Sequence, residues 1–192
     1  MDTLAAIRAR RTIKAFTGAP VDRAVVEALV EAATWAPTHR MTQPWRFYAC
    51  DQAAIRRLVA FLLETPAIAA VPDPAKGAAK LAKLQERLAG VGAMVVATWE
   101  RAADPAVDLE EHAAASAAVQ NLLLAATAQG LGSFWSTNPA LGHPETLRWL
   151  GIDPDREGAL GSLWLGTAAE TPAAPLRQPL NTRLRFVDHP PI

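Results

Sequence analysis

The sequence has almost nothing to cross-link with. Cys50 is its only cysteine, so no disulfide can form within the chain, and a metal site built on paired cysteines is excluded. It also lacks an excess of charge. Lys and Arg total 19, Asp and Glu total 19, and the isoelectric point is near 6.9. A surface that binds nucleic acid or an acidic membrane would need a surplus of Lys and Arg, so neither partner is expected. No apolar run is long enough to cross a bilayer, and MDTLAAIRARR has no basic-then-apolar leader pattern. These features lead us to expect a cytoplasmic protein.

Motifs that bring their own chemistry are missing too. There is no G-x-G-x-x-G after a strand and no Walker A loop. No G-x-S-x-G elbow occurs, because Ser133 and Ser162 both sit in LGS. His39, His112, His143 and His189 show no metal-ligand spacing. No nucleophile stands beside a base, so no catalytic side chain is assigned. A bound cofactor that carries the reactive group fits this silence.

What is present has helical and strand periods in mixed order. Asp2 or Thr3 can cap a first helix. Asp22 can cap a second, whose Val25, Val26, Leu29, Val30 and Ala33 keep a 3.6-residue period until Pro37. WRFYAC at Trp45–Cys50 reads as a strand, followed by a helix over 52–63. Residues 65–74 hold three prolines and read as a loop, and 75–88 reads as an Ala/Lys-rich helix. The apolar run 91–99 reads as a buried strand, and 109–129 as a central helix that is apolar nearly all round. LGSFW (131–135) and LGSLW (160–164) echo each other as strands entered through a glycine, by chance rather than duplication. Residues 144–150 form a short helix between them. The class is α+β, with a small mixed sheet wrapped by helices. A domain over 1–167 is followed by a Pro-rich arm, 168–192, whose Leu176, Leu180, Leu184, Phe186 and Val187 suit packing on a second subunit.

Four segments carry candidate site residues. Arg10, Arg11, Thr12 and Lys14 offer guanidinium pairs, a hydroxyl and an ammonium, a donor set for phosphate. If that segment is extended, Thr12 and Lys14 point the same way. The plainer alternative is a solvated basic helix end. In PTHRMTQPW, bracketed by Pro37 and Pro44, His39 and Gln43 can bond a polar ring edge, or they simply make a good turn. In GSFWSTN, Gly132 allows close approach, while Ser136, Thr137 and Asn138 supply short polar groups at a strand end. Arg177 lies between prolines and either closes over a phosphate or belongs to an exposed arm. His112 and His143 read as helix-surface or capping residues; Trp99, Trp149 and Trp164 read as core.

Together these motifs resemble the FMN-dependent nitroreductase family, compact bacterial NAD(P)H type. RRTIKAF is similar to its Arg-x-Ser-x-Arg/Lys-x-Phe, APTHRMTQPWRF to its A-P…Q-P-W segment, QGLGSFW to its QG-(L/I)-G strand entry, and LGTAAETPAAPLRQP to its closing LG…P…R-x-P. The four occur in order over nearly the whole chain. The resemblance implies FMN bound at a homodimer interface, with NADH or NADPH as donor. Arg10, Thr12 and Arg177 would hold the phosphate with Arg11 nearby, and Lys14 would sit by the flavin's pyrimidine edge. His39 and Gln43 would line the ribityl chain or ring, Trp135–Asn138 its other edge, and the arm would embrace the partner. Ping-pong reduction of a nitroaromatic, quinone or similar acceptor follows. Dehalogenation, enone reduction, flavin fragmentation or a non-enzymatic FMN sensor are alternatives on the same fold, with 65–90 as the only candidate lid. Met41 stands where many members carry Asn, Thr12 replaces Ser, and Trp35 would shape or narrow the flavin pocket.

Overall fold

The structure, a computed structural model, describes residues 1–69, 71 and 73–187. The positions 70, 72 and 188–192, with His189 and the end of the arm, lie outside the described residues. The elements run α1 (Thr3–Ala9), α2 (Arg23–Ala33), β1 (Trp45–Cys50), α3 (Gln52–Glu64), α4 (Pro74–Ala89) and β2 (Ala93–Glu100). They continue with α5 (Pro105–Ala128), β3 (Gly132–Ser136), α6 (Pro144–Trp149) and β4 (Glu157–Gly166), with short 3₁₀ turns at His39–Met41, Pro66–Ala69 and Leu180–Thr182.

Four helix starts follow aspartate capping chemistry; Asp22, expected to cap α2, sits at its N-terminus but makes no side-chain capping bond. Asp2, Asp51, Asp73 and Asp104 each accept a hydrogen bond from a first-turn backbone N–H, and α4 and α5 then open on a proline, which has no N–H to leave unpaired. Asp104-Pro105 therefore begins α5 four residues before the expected Leu109. His143 caps α6 by accepting from Glu145 N, as expected of a capping histidine.

The four strands order β1-β2-β4-β3, and every pairing is antiparallel. The only parallel pairing recorded among the described residues is the single bridge from Thr12 to Ser133, so the mixed character expected of the sheet reduces to that contact. The two echoing segments are neighbours: Phe134 pairs with Trp164 and Trp135 with Leu163. Only β3 is entered through its glycine. β4 starts earlier, at Glu157, and Gly161 lies inside it, where a bulge sets Ala97 opposite Gly161 and Thr98 opposite Ala159. Gly161 takes φ +130°, and a Cβ there would come within 2.5 Å of Ser136 O, so the bulge requires glycine.

Both sheet faces are covered. Met94, Val96 and Trp164 pack with α3 and α4, while Val95, Ala97 and Leu163 pack with α2 and α5. Alternate side chains of β2 thus enter two cores, which explains its unbroken apolar run. α5 touches α1, α2 and all four strands, and its Ala115, Ala118, Val119, Leu122 and Ala126 are fully buried. Its small side chains let it lie that close. Trp164 is core as expected, and Trp99 is half-buried with its ring edge against His112. Trp149 is not core: it is 38% exposed and stacks on Phe61 at the end of α6. The 66–89 segment is anchored through Ile68, Leu81, Leu84 and Leu88, all buried.

Candidate active site

The site begins where α1 stops. Arg10 takes a non-helical backbone, and Arg11 turns its Nη1 back to donate to the carbonyls of Arg8, Ala9 and Arg10 at 2.7, 3.0 and 3.0 Å. Those are carbonyls the helix end leaves unpaired. The chain then extends along the sheet edge: Thr12 bridges Ser133, and Ile13 N donates to Ser133 O at 2.9 Å. Ile13 is buried against Gly132, whose missing Cβ makes room for it, while Thr12 and Lys14 on either side are exposed. The alternation expected of an extended segment is therefore present, with both polar side chains facing out together.

A second strand of chain runs beside this one. Phe16 bridges Ala168, Thr17 N donates to Thr167 O, and Ala169 N donates to Ala15 O, both at 3.0 Å. That pairing delivers the arm over the α1 end. The result is a cleft of about 570 Å³ lined by Arg10, Arg11, Thr12, Lys14 and Arg177, with Glu170 and the prolines 172 and 175. Four cations face one carboxylate. Lys14 Nζ also lies 5.6 Å from the centre of the Phe134 ring, within cation–π range. Arg11 Nε and Ser133 Oγ are buried polar atoms with no partner among the described residues. Both flank the Thr12 bridge, where an unmet donor costs about 1–3 kcal/mol. This donor set suits a phosphate-bearing ligand.

The sequence missed Glu170. Its position two residues past the Phe16–Ala168 bridge was the available signal, and only the fold reveals that bridge.

The other candidates do not line this cleft in a single chain. Trp35 is 82% exposed just beyond α2. His39 Nδ1 pairs with Glu110 at 2.6 Å. Arg40, Met41 and Gln43 all take left-handed backbone, with φ of 51°, 57° and 49°, a conformation unusual for these residue types. Hydroxyls hold it: Thr38 Oγ1 accepts from Gln43 N at 3.1 Å, and Thr42 Oγ1 donates at 2.8 Å to the buried carboxylate of Glu111. The carboxylates of α5, Glu110 and Glu111, thus brace the loop, a role the sequence reading did not assign. In the β3 segment, Trp135 turns to the α5 side, and its indole N–H donates to Leu160 O in the bulge at 2.9 Å. Ser136 is buried, Thr137 is exposed, and Asn138 Oδ1 accepts from Ala140 N to close the following turn.

Elsewhere, burial and then the Glu157 contact push the Tyr48 phenol up to about 12. Burial raises the Cys50 thiol, which keeps it protonated and unreactive. Among the described residues, no helix is long and apolar enough to cross a membrane.

Known proteins agree with this architecture. The sequence profile of the nitroreductase family matches residues 7–167. The Bacillus subtilis protein named "Putative NAD(P)H nitroreductase YfhC" is 29% identical over 178 residues, 92% of this chain and 90% of its own. The crystal structure of a "Nitroreductase-like Family Protein" from Bacillus cereus superposes with a TM-score of 0.86 at 22% identity, covering 98% of this chain and 97% of the other. A Desulfovibrio desulfuricans structure described as "a putative nitroreductase in complex with fmn" gives a TM-score of 0.75 at 26% identity, covering 99% of both chains. With the profile spanning all of the sheet and the α1 end that supplies the cationic cleft, the chain belongs to the nitroreductase family.

Proposed function

We propose that this chain is an FMN-dependent NAD(P)H oxidoreductase that reduces nitroaromatics, quinones or similar acceptors. One observation carries the reading: Arg10, Arg11, Thr12, Lys14 and Arg177, from opposite ends of the sequence, line one cleft. Its donor chemistry fits the phosphate of FMN, and its volume leaves room for more than a phosphate. Arg10, Thr12 and Arg177 hold the phosphate. Arg11 fixes the end of α1 that presents them. Lys14, beside Phe134, puts positive charge near the ring edge, where charge on a reduced ring is stabilised by a fixed cation. When bound, FMN supplies the electron transfer, from NAD(P)H to the acceptor, that no side chain here provides.

Trp35, His39, Gln43 and the Trp135–Asn138 stretch lie off the cleft within one chain. A homodimer with the arm laid on its partner is the arrangement in which a second copy supplies them to the flavin. The arm's Leu176, Leu180, Phe186 and Val187 are 71–101% exposed in a single chain, which supports the same assembly. In that shared cleft, donor and acceptor bind in turn, giving ping-pong kinetics. The lone cysteine fits a cytoplasmic setting.

Arg10→Ala tests the phosphate assignment. Losing a charged hydrogen bond removes about 1.5–3 kcal/mol, a weakening of FMN binding of roughly 10- to 150-fold. Unchanged FMN affinity by fluorescence titration of the apoprotein would refute it.

A further inference from the structure

A second cationic cleft lies at the other end of β3, and of the candidate site residues it contains only Asn138. It measures about 230 Å³ and opens between α4 and the turn after β3. Lys80, Lys83 and Arg87 line it from α4, and Asn138 lines it from the turn. The spacing of three and then four residues puts the cations on one helix face. No carboxylate lines the cleft, and none of the three makes an ion pair among the described residues. Lys76, one turn earlier, is paired with Asp73 at 3.6 Å and does not line it. The cleft floor is core: Leu81, Leu84 and Ala140 are buried in the cluster beneath it. Asn138 Oδ1 is taken by Ala140 N, which leaves its amide NH₂ as a donor at the rim.

The position matters as much as the charge. β3 links the two cationic clefts. Thr12 bridges Ser133 near its start, and Asn138 follows its end. A strand rises about 3.3 Å per residue, so the five steps from Ser133 to Asn138 span at most roughly 17 Å. Lys14 lies over Phe134, and Phe134 packs on the same core cluster as Leu81 and Leu84. Both clefts therefore border β3, one at each end of the strand.

We propose that this second cleft binds the adenosine phosphates of the nicotinamide donor, and that Lys80, Lys83 and Arg87 make NADPH preferred over NADH through its additional 2′-phosphate. The inference rests on the oxidoreductase reading for its biological meaning, but its binding test does not need a flavin. A compact phosphate dianion gains more from three cations on one helix face than a neutral ribose hydroxyl does.

The test compares adenosine 2′,5′-bisphosphate with AMP by calorimetry, on the full chain with and without FMN. The bisphosphate is expected to bind at least about 10-fold more tightly than AMP. Lys83→Gln is expected to shrink that ratio by about 5-fold or more, and Lys76→Gln to leave it unchanged. On the FMN-loaded enzyme, Lys83→Gln raises KM for NADPH, leaves KM for NADH within about 2-fold, and leaves flavin content unaltered. Equal affinity for the two nucleotides in the wild-type chain would overturn the proposal. So would an unchanged ratio in Lys83→Gln, or in the Lys80→Gln/Lys83→Gln/Arg87→Gln triple variant. A protein that binds no FMN but keeps the bisphosphate preference would instead remove the oxidoreductase reading and leave the cleft assignment standing.

Discussion

Gly132→Ala tests how the phosphate-binding segment is held. Gly132 opens β3, and the space its missing side chain leaves is filled by Ile13. An added Cβ would lie 3.0 Å from both Ile13 Cγ1 and Cγ2 and 3.2 Å from its Cβ. Ile13 is 4% exposed and tied to Ser133 O through its backbone, so it has little room to move. Overpacking of this kind costs about 1–3 kcal/mol. Replacing glycine also restricts the unfolded chain, which returns about 0.4–1 kcal/mol. At the middle of both ranges the net is a loss of about 1.3 kcal/mol, or a Tm lower by about 3–5 °C for a chain of this size. Because Thr12 and Lys14 flank Ile13, FMN affinity should fall with stability. A double-mutant cycle isolates the contact. Ile13→Ala alone costs about 2–5 kcal/mol. In the combined variant the added methyl meets only Cβ and fills part of the void, so the two losses should sum to more than the measured value by about 1 kcal/mol. Denaturant melts of the four proteins, with FMN titrations alongside, give the answer. An additive cycle, or a Gly132→Ala protein with wild-type Tm and flavin affinity, would refute this account of the segment.

Two further outcomes follow from the structure. Tyr48 Oη donates to Glu157 Oε1 at 2.7 Å, and Thr98 also donates to that carboxylate. The folded phenol ionises near 12, while an unfolded tyrosine ionises near about 10. The unfolded chain therefore loses its proton first. The stabilisation is complete below about pH 10 and is lost as pH rises toward 12. Tyr48→Phe should flatten that alkaline slope in denaturant melts, and an unchanged slope would contradict a phenol raised by burial and the Glu157 contact. Ending the chain at residue 167 removes the arm with Glu170 and Arg177. It should halve the mass seen by light scattering and abolish FMN retention; a truncated chain that stays dimeric would show that the arm does not hold the assembly.

Much of this was legible in local patterns. Asp2 marks the start of α1 by capping and Asp22 that of α2 by position alone, while Asp104-Pro105 carries the signal for the start of α5 that the Ala-rich run obscures. That Thr12 and Lys14 share a side needs only an extended backbone, which the Ile13–Ser133 hydrogen bond at the sheet edge provides. The rest depended on contacts between distant positions. Nothing local shows that Ala168 pairs with Phe16, so neither the meeting of Arg177 with Arg10 nor the presence of Glu170 could be derived from spacing. The left-handed run at Arg40, Met41 and Gln43 has no glycine to announce it, and is held by Thr38, Thr42 and Glu111. Trp149 looked like core because of its size, yet it ends a six-residue helix at the surface, where Phe61 covers one ring face. The bulge in β4 hid behind the LGS echo, since Gly161 looks like a strand entry until its partner strand is known.

The central claim is that the Arg10–Arg177 cleft holds a redox-active flavin. The most direct measurement is the visible spectrum of the purified full chain, taken anaerobically before and after NADPH or NADH. Flavin bands should bleach on adding the nucleotide and return with a quinone or nitroaromatic. A chain that stays colourless after FMN is supplied, or one whose bound flavin neither nucleotide reduces, would contradict it.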